Sequence, residues 1–169
     1  MKLNEWLLAE YDREVARSRK ALEQMPEGKQ EWKPHDRSMP FGYLAELVAT
    51  IPTWVTMTID RDELDIAPKD GPQFKREPLA TRDDYLRAHD KAVAGGRAAL
   101  QRATDEHLLK PWRLLAAGNV VVETSRHEMV SDTLNHLVHH RGQMTVYLRL
   151  LGAKVPALYG PSADDKNFA

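Results

Sequence analysis

The sequence predicts an all-α fold, a four-helix bundle. Three observations carry this. First, four long stretches repeat apolar residues at three- and four-residue steps, the period of helices with one face in a core. Second, capping or breaking residues bound those stretches. Third, a polar stretch of residues 60–80 separates the second from the third. A connection that long can traverse the bundle and leave those two helices parallel, an up-down-down-up order. The chain has 169 residues, about one domain's length, and no internal repeat. Residues 1–169 are therefore expected to form one bundle domain with its own core.

The first helix is expected over residues 4–25. Trp6, Leu7, Tyr11, Val15, Ser18 and Leu22 share a face, Asn4 is the expected N-cap, and Pro26 with Gly28 ends it. The polar loop after it holds W-K-P-H, in which Pro34 turns Lys33 away from helical backbone. The second helix is expected over residues 38–59. Pro40 suits its first turn, and Pro52 in its interior removes a backbone donor and predicts a kink. The third helix opens on Thr81 with Asp84 three residues on, a capping pair, and runs to about residue 103. Gly95 and Gly96 weaken it by roughly 1 kcal/mol each, which close packing against a neighbour would offset. His89 is expected at its surface or at the bundle edge. Residues 105–124 change texture. W-R-L-L-A-A-G-N-V-V-V-E reads as two short extended runs about a turn at Gly118 and Asn119, a small β-hairpin.

The fourth helix, residues 125–152, carries the chemistry. Ser125 and Glu128 form an S-x-x-E capping box. Gly152 is placed for a left-handed end, and Pro156 bars resumption. Val130, Leu134, Leu137, Met144, Leu148 and Leu151 make the core stripe. His136 and His140 stand four apart, so their Cβ atoms lie roughly 5–6 Å from each other on one face. Two imidazoles there can converge on a divalent zinc, nickel, copper or iron. No glutamate follows His136, so this is not the H-E-x-x-H of a zinc protease. The same spacing also suits a polar bundle edge, and both readings stay open at this stage. His139 lies roughly 100° round the helix from His140 and reads as a surface or packing residue.

Composition narrows the rest. There is no cysteine, which excludes disulfides, thiolate metal sites and a cysteine nucleophile. Net charge is -1 with acids and bases interspersed, so nucleic-acid binding through a broad cationic surface is not expected. No window reaches 18 apolar residues, so no membrane span is expected. The first dozen residues carry acids and lack the apolar core and cleavage site of a secretion signal, which predicts a cytoplasmic protein.

Two segments carry a resemblance. L-N-H-L-V-H-H-R-G-Q-M-T-V-Y-L-R-L-L-G-A-K-V-P-A-L-Y-G-P-S and the earlier S-M-P-F-G-Y-L-A-E-L-V-A-T-I-P-T-W resemble the DinB-like (YfiT-like) metalloenzyme family. The similarity extends from Trp6 to Ser162, and H-R-G-Q with Y-G-P-S is its most specific part. It implies the same up-down-down-up bundle and a frequent homodimer. Members typically hold a divalent metal, nickel or zinc among them, with three histidines. Two match His136 and His140. The third falls at Leu47, which has no lone pair to offer. Glu46 beside it lies about 100° round the helix.

The resemblance therefore implies a degenerate site, with the metal weakly bound or absent. The protein is expected to be a ligand-binding or inactive relative. The alternative is a metal-dependent hydrolase or thiol-dependent transferase with His136 and His140 as ligands and a small-molecule or thiol ligand. A metal-free site using either histidine as a base is the third reading. Asp132 or Asn135 would orient a ring. Gln143 and Tyr147 would line the pocket. Arg141 and Arg149 would meet an anion or, as ordinary helix arginines, solvent. Trp54, Trp112 and Tyr159 are expected as core or cap residues.

Overall fold

The computed structural model describes residues 1–69 and 79–167; residues 70–78, part of the expected crossover, lie outside that set. The fold is mostly helical with a small three-stranded sheet. That corrects the all-α expectation: the hairpin is present, and a third strand has joined it.

The first helix, α1 (Leu3–Glu23), buries Leu7, Tyr11, Val15, Ser18 and Leu22 as its period requires. Lys2 rather than Asn4 is its N-cap. Trp6, expected on the same face, is 43% exposed. The expected second helix is two. α2 (Phe41–Thr50) and α3 (Pro52–Asp60) meet at Ile51, whose backbone is still helical. Pro52 has no amide to donate, so the helical ladder is interrupted there. The start is Phe41, with Pro40 just outside. Phe41, Leu44, Val48, Ile51 and Val55 are fully buried.

Next comes β1 (Glu63–Asp65), then α4 (Arg82–Arg102). The Thr81–Asp84 capping box of α4 forms as expected. Gly96 explains its own presence. A Cβ there would stand 2.2 Å from the Tyr11 hydroxyl and 2.9 Å from the Pro52 carbonyl oxygen, so only glycine lets α1, α3 and α4 approach this closely. Tyr11 then donates to the Val93 carbonyl at 3.2 Å. His89 is not at a surface. It is 1% exposed, and Nε2 lies 3.0 Å from the Val15 carbonyl. Burial comes first among the causes that hold its pKa below the ordinary value, so it is a neutral core donor.

A short helix the sequence reading did not anticipate, α5 (Asp105–Leu109), precedes β2 (Pro111–Ala116) and β3 (Asn119–Ser125). β2 is central, antiparallel to β3 and parallel to β1. Ala117 and Gly118 make the turn with φ of 52° and 81°, one residue earlier than expected. The Asp65 carboxylate accepts from both their amides, at 3.1 and 2.7 Å. This bond pattern pins the left-handed turn and brings β1 into the sheet. Arg126 fastens the sheet to the next helix. It is 2% exposed and donates to Asp62 and to the Pro111 carbonyl.

The last helix, α6 (Arg126–Leu150), has the expected Ser125–Glu128 capping box, and Gly152 is left-handed at φ 72°. α1 packs on α4 and α6, and so do α2 and α3. No described helix is long and apolar enough to cross a membrane.

Arg141 meets neither solvent nor a free anion. It is 1% exposed and pairs with Glu14 of α1 at 2.5 Å. Its other guanidinium nitrogen donates to the Glu14 carbonyl and the Ser18 hydroxyl, at 2.8 and 3.2 Å. Tyr159, from the chain after α6, donates to the same Glu14 carboxylate at 2.7 Å. Burial pushes the Glu14 carboxyl up. Hydrogen bonds from Tyr159 and Arg141, the Arg141 charge and a bond from Arg17 outweigh burial and hold it below its ordinary value. Arg149 is an exposed residue that pairs with Asp164, returning the tail to α6.

Removing one partner of a buried pair strands the other. Arg141→Met is expected to cost about 3–5 kcal/mol of unfolding free energy at pH 7, read by urea denaturation. The pair's contribution is complete above the ordinary carboxyl value of 4.5 and is lost as pH falls through Glu14's lower folded value. The gap between variant and parent should therefore close in acid. A gap that stays constant would place the effect elsewhere.

Candidate functional site

His136 and His140 both lie on α6, which packs against α3. His140 is 7% exposed, whereas His136, one turn earlier, is exposed. Their Nε2 atoms stand 2.8 Å apart, with ring centroids at 4.7 Å. Gln143, three residues further on, places its Oε1 atom 2.8 Å from His140 Nδ1. An amide oxygen can only accept, so His140 carries its proton on Nδ1. Its Nε2 lone pair then accepts from His136 Nε2–H. The tautomers follow from the bond pattern. Gln143 does the orienting expected of Asp132 or Asn135, and the H-x-x-Q spacing in the sequence was a signal for it.

Trp54 of α3 stands edge-on to His136, with centroids at 5.2 Å and planes at 86°. It is half-buried beside the pair rather than sealed in the core. His139 is exposed and meets His140 edge-on at 5.2 Å. Burial, then the His140 and His139 charges, lowers the His136 pKa. Tyr147 points elsewhere, donating to the Met39 carbonyl and packing on Trp32. Trp112 is buried, as expected, and Tyr159 is 57% exposed.

Whether a metal would suit this donor set can be tested on the geometry. Zinc–nitrogen bonds of about 2.0–2.1 Å at a tetrahedral angle put two ligand nitrogens about 3.3 Å apart. The observed 2.8 Å is close to that and needs only a small opening. The His140 ring is also held by Gln143 as a ligand's ring usually is. No third donor stands beside the pair among the described residues. Leu47 is half-buried and packs on the core. The Glu46 charge, after burial, helps push the Tyr85 phenol up to about 12. Among the described residues no three histidine, cysteine, aspartate or glutamate side chains form a group that could hold a metal ion. The set therefore does not fit a catalytic zinc centre with three protein ligands and an open position. What remains is a hydrogen-bonded pair of imidazoles beside Trp54.

Comparisons place this chain among known proteins. The DinB family model matches residues 1–167. A DinB-like protein from Bacillus cereus ATCC 10987 superposes with a TM-score of 0.70 at 21% identity, covering 92% of this chain and 97% of that one. YjoA, a DinB-like protein from Bacillus subtilis, gives 0.69 at 17% identity, with 95% and 99% covered. At those identities the likeness is one of fold. An uncharacterised protein, YrdA, of Bacillus subtilis strain 168 is 50% identical over 32 residues, 19% of each chain. The chain thus matches about a fifth of that relative's length.

In metal-free protein, His136 is expected to titrate below the ordinary 6.5, because charging it costs solvation and repels its neighbours. Imidazole proton resonances followed by NMR between pH 4 and 9 would report this. A midpoint above 6.5 would contradict the pairing with His140 described here.

Proposed function

The chain belongs to the DinB family, and from that premise we propose that it is a relative of unassigned activity with a degenerate divalent-metal site. Two histidines, His136 and His140, are kept, and the third donor is lost at Leu47. On this reading the domain, residues 1–169, is an up-down-down-up bundle in which α2 and α3 count as one kinked helix. It acts in the cytoplasm as a homodimer, a ligand-binding or inactive relative of the family, without nucleic acid or membrane. One observation carries the reading: among the described residues no third metal-ligating side chain joins the pair.

A second reading has its own support. The short separation of the Nε2 atoms and the Gln143 bond to His140 resemble two thirds of a preformed metal site. In that case nickel or zinc would be held weakly by His136 and His140 with water. The chemistry would be metal-dependent hydrolysis or transfer involving a thiol, with the metal lowering the pKa of its bound water or thiol. Saturable, metal-dependent thiol transfer by the purified protein would favour this reading over the first.

The test of the degenerate site is restoration. Leu47→His is expected to tighten nickel binding by at least about tenfold, 1.4 kcal/mol, measured by isothermal titration calorimetry on untagged protein. No gain would mean that position 47 does not face the pair, and the proposal would fall with it.

A further inference from the structure

The two edges of the small sheet differ. At one edge, β1 is three residues long, and two of them, Glu63 and Asp65, are acids. Short length and charge are ordinary guards against pairing with another chain. At the other edge, β3 runs for seven residues, N-V-V-V-E-T-S, with no lysine, arginine or proline and a single charge, Glu123. Among the described residues it pairs on one side only, with β2. Val120, Val121 and Val122 are 49%, 53% and 39% exposed. Val120 stands opposite Leu115 and Val122 opposite Leu114. Adjacent strand residues point to opposite faces, so this edge is apolar on both. Val121 is the extra residue of a bulge and stands opposite no residue of β2.

We infer that β3 is the surface through which the homodimer forms. Two copies pair antiparallel about a two-fold axis through Val121, giving one six-stranded sheet. The inference rests on the homodimer reading above and says where that contact lies. A second copy is the occupant because the strand complements itself. A two-fold interface requires that residue i meet j and j meet i. With Val121 on the axis, Val120 meets the partner's Val122, and Val121 meets the partner's Val121. Cross-strand pairs of β-branched residues stabilise a sheet. Asn119 then meets the partner's Glu123, an amide donor against a carboxylate. The present bonds of the Asn119 amide, to the carbonyls of Ala116 and Ala117, are long, at 3.5 and 3.4 Å. Charge selects this register. An axis at Glu123 would set the two carboxylates directly opposite, which is destabilising, whereas an axis at Val121 puts them at opposite ends of the contact. A bulge leaves its extra residue unpaired, and here that residue is the one the partner covers. One strand from each copy makes a small interface, in the transient class below about 1,200 Å², so the dimer is concentration-dependent.

The chain has no cysteine, so one introduced thiol reports its own surroundings. Val121→Cys is expected to give a disulfide-linked dimer with diamide, because residues directly opposite in an antiparallel pair bring their Cβ atoms roughly 4.5–5.5 Å apart, close to disulfide reach. Val146→Cys, at a similarly exposed valine on α6, should cross-link at least about tenfold more slowly. By analytical ultracentrifugation the unmodified protein should dimerise as its concentration rises. Val121→Lys, which puts a guarding charge at an exposed position, should weaken that dimer at least about tenfold with helical circular dichroism unchanged. A dimer indifferent to Val121→Lys, or a Val146→Cys thiol that cross-links as fast as Val121→Cys, would overturn the edge contact and leave the homodimer reading to another surface. Protein that stays monomeric up to about 1 mM would overturn both.

Discussion

The buried pair of Arg141 and Glu14 sets the arrangement of everything functional in this protein. A guanidinium and a carboxylate taken out of water are costly unless every donor and acceptor is met. Here Ser18, the Glu14 carbonyl and the Tyr159 hydroxyl meet them. Those partners belong to α1 and to the chain beyond α6, while Arg141 itself is on α6. The geometry they share allows one rotation of α6 against α1. Because Arg141 must face α1, His140 beside it is turned about 100° away, to the edge where it meets His136 and Gln143. The opposite flank of the Arg141 row walls a cleft of about 240 Å³ against α1, with Trp6. One ion pair thus separates two faces of a single helix.

On the first face, the chemistry is defined by what the pair lacks. Two imidazoles at hydrogen-bond distance, one fixed by Gln143, are close to the separation that a tetrahedral ion would impose. A leucine stands where the resemblance places a third imidazole. Membership of the DinB family says which fold this is and leaves the activity open. The proposed loss of the metal site rests on the donor set of this chain.

Much of this was legible in the sequence, for local reasons. The ends of α6 were written in Ser125, Glu128 and Gly152, and its core stripe in the three- and four-residue steps. The hairpin was announced by a valine run and a glycine turn. The convergence of His136 and His140 followed from spacing alone. What was not legible depends on distant partners. β1 is three residues with no period of its own; it exists because Asp65 finds the amides of Ala117 and Gly118, 52 and 53 residues away. Arg141 looked like a helix-surface arginine because its partner is 127 positions earlier. His89 was misplaced for the same reason: burial is decided by the neighbouring helix, which a single helix's pattern does not specify. Pro52 was read correctly as a fault in the ladder, but whether it yields one kinked helix or two depends on how well Ile51 keeps helical backbone.

The central claim is that His136 and His140 alone do not make a resident metal centre. Elemental mass spectrometry on untagged protein, purified without chelator and then incubated with nickel and zinc, tests it most directly. The account predicts far less than one metal ion per chain after desalting. About one equivalent of either metal, retained through desalting, would contradict it and would require a third donor that the described residues do not supply.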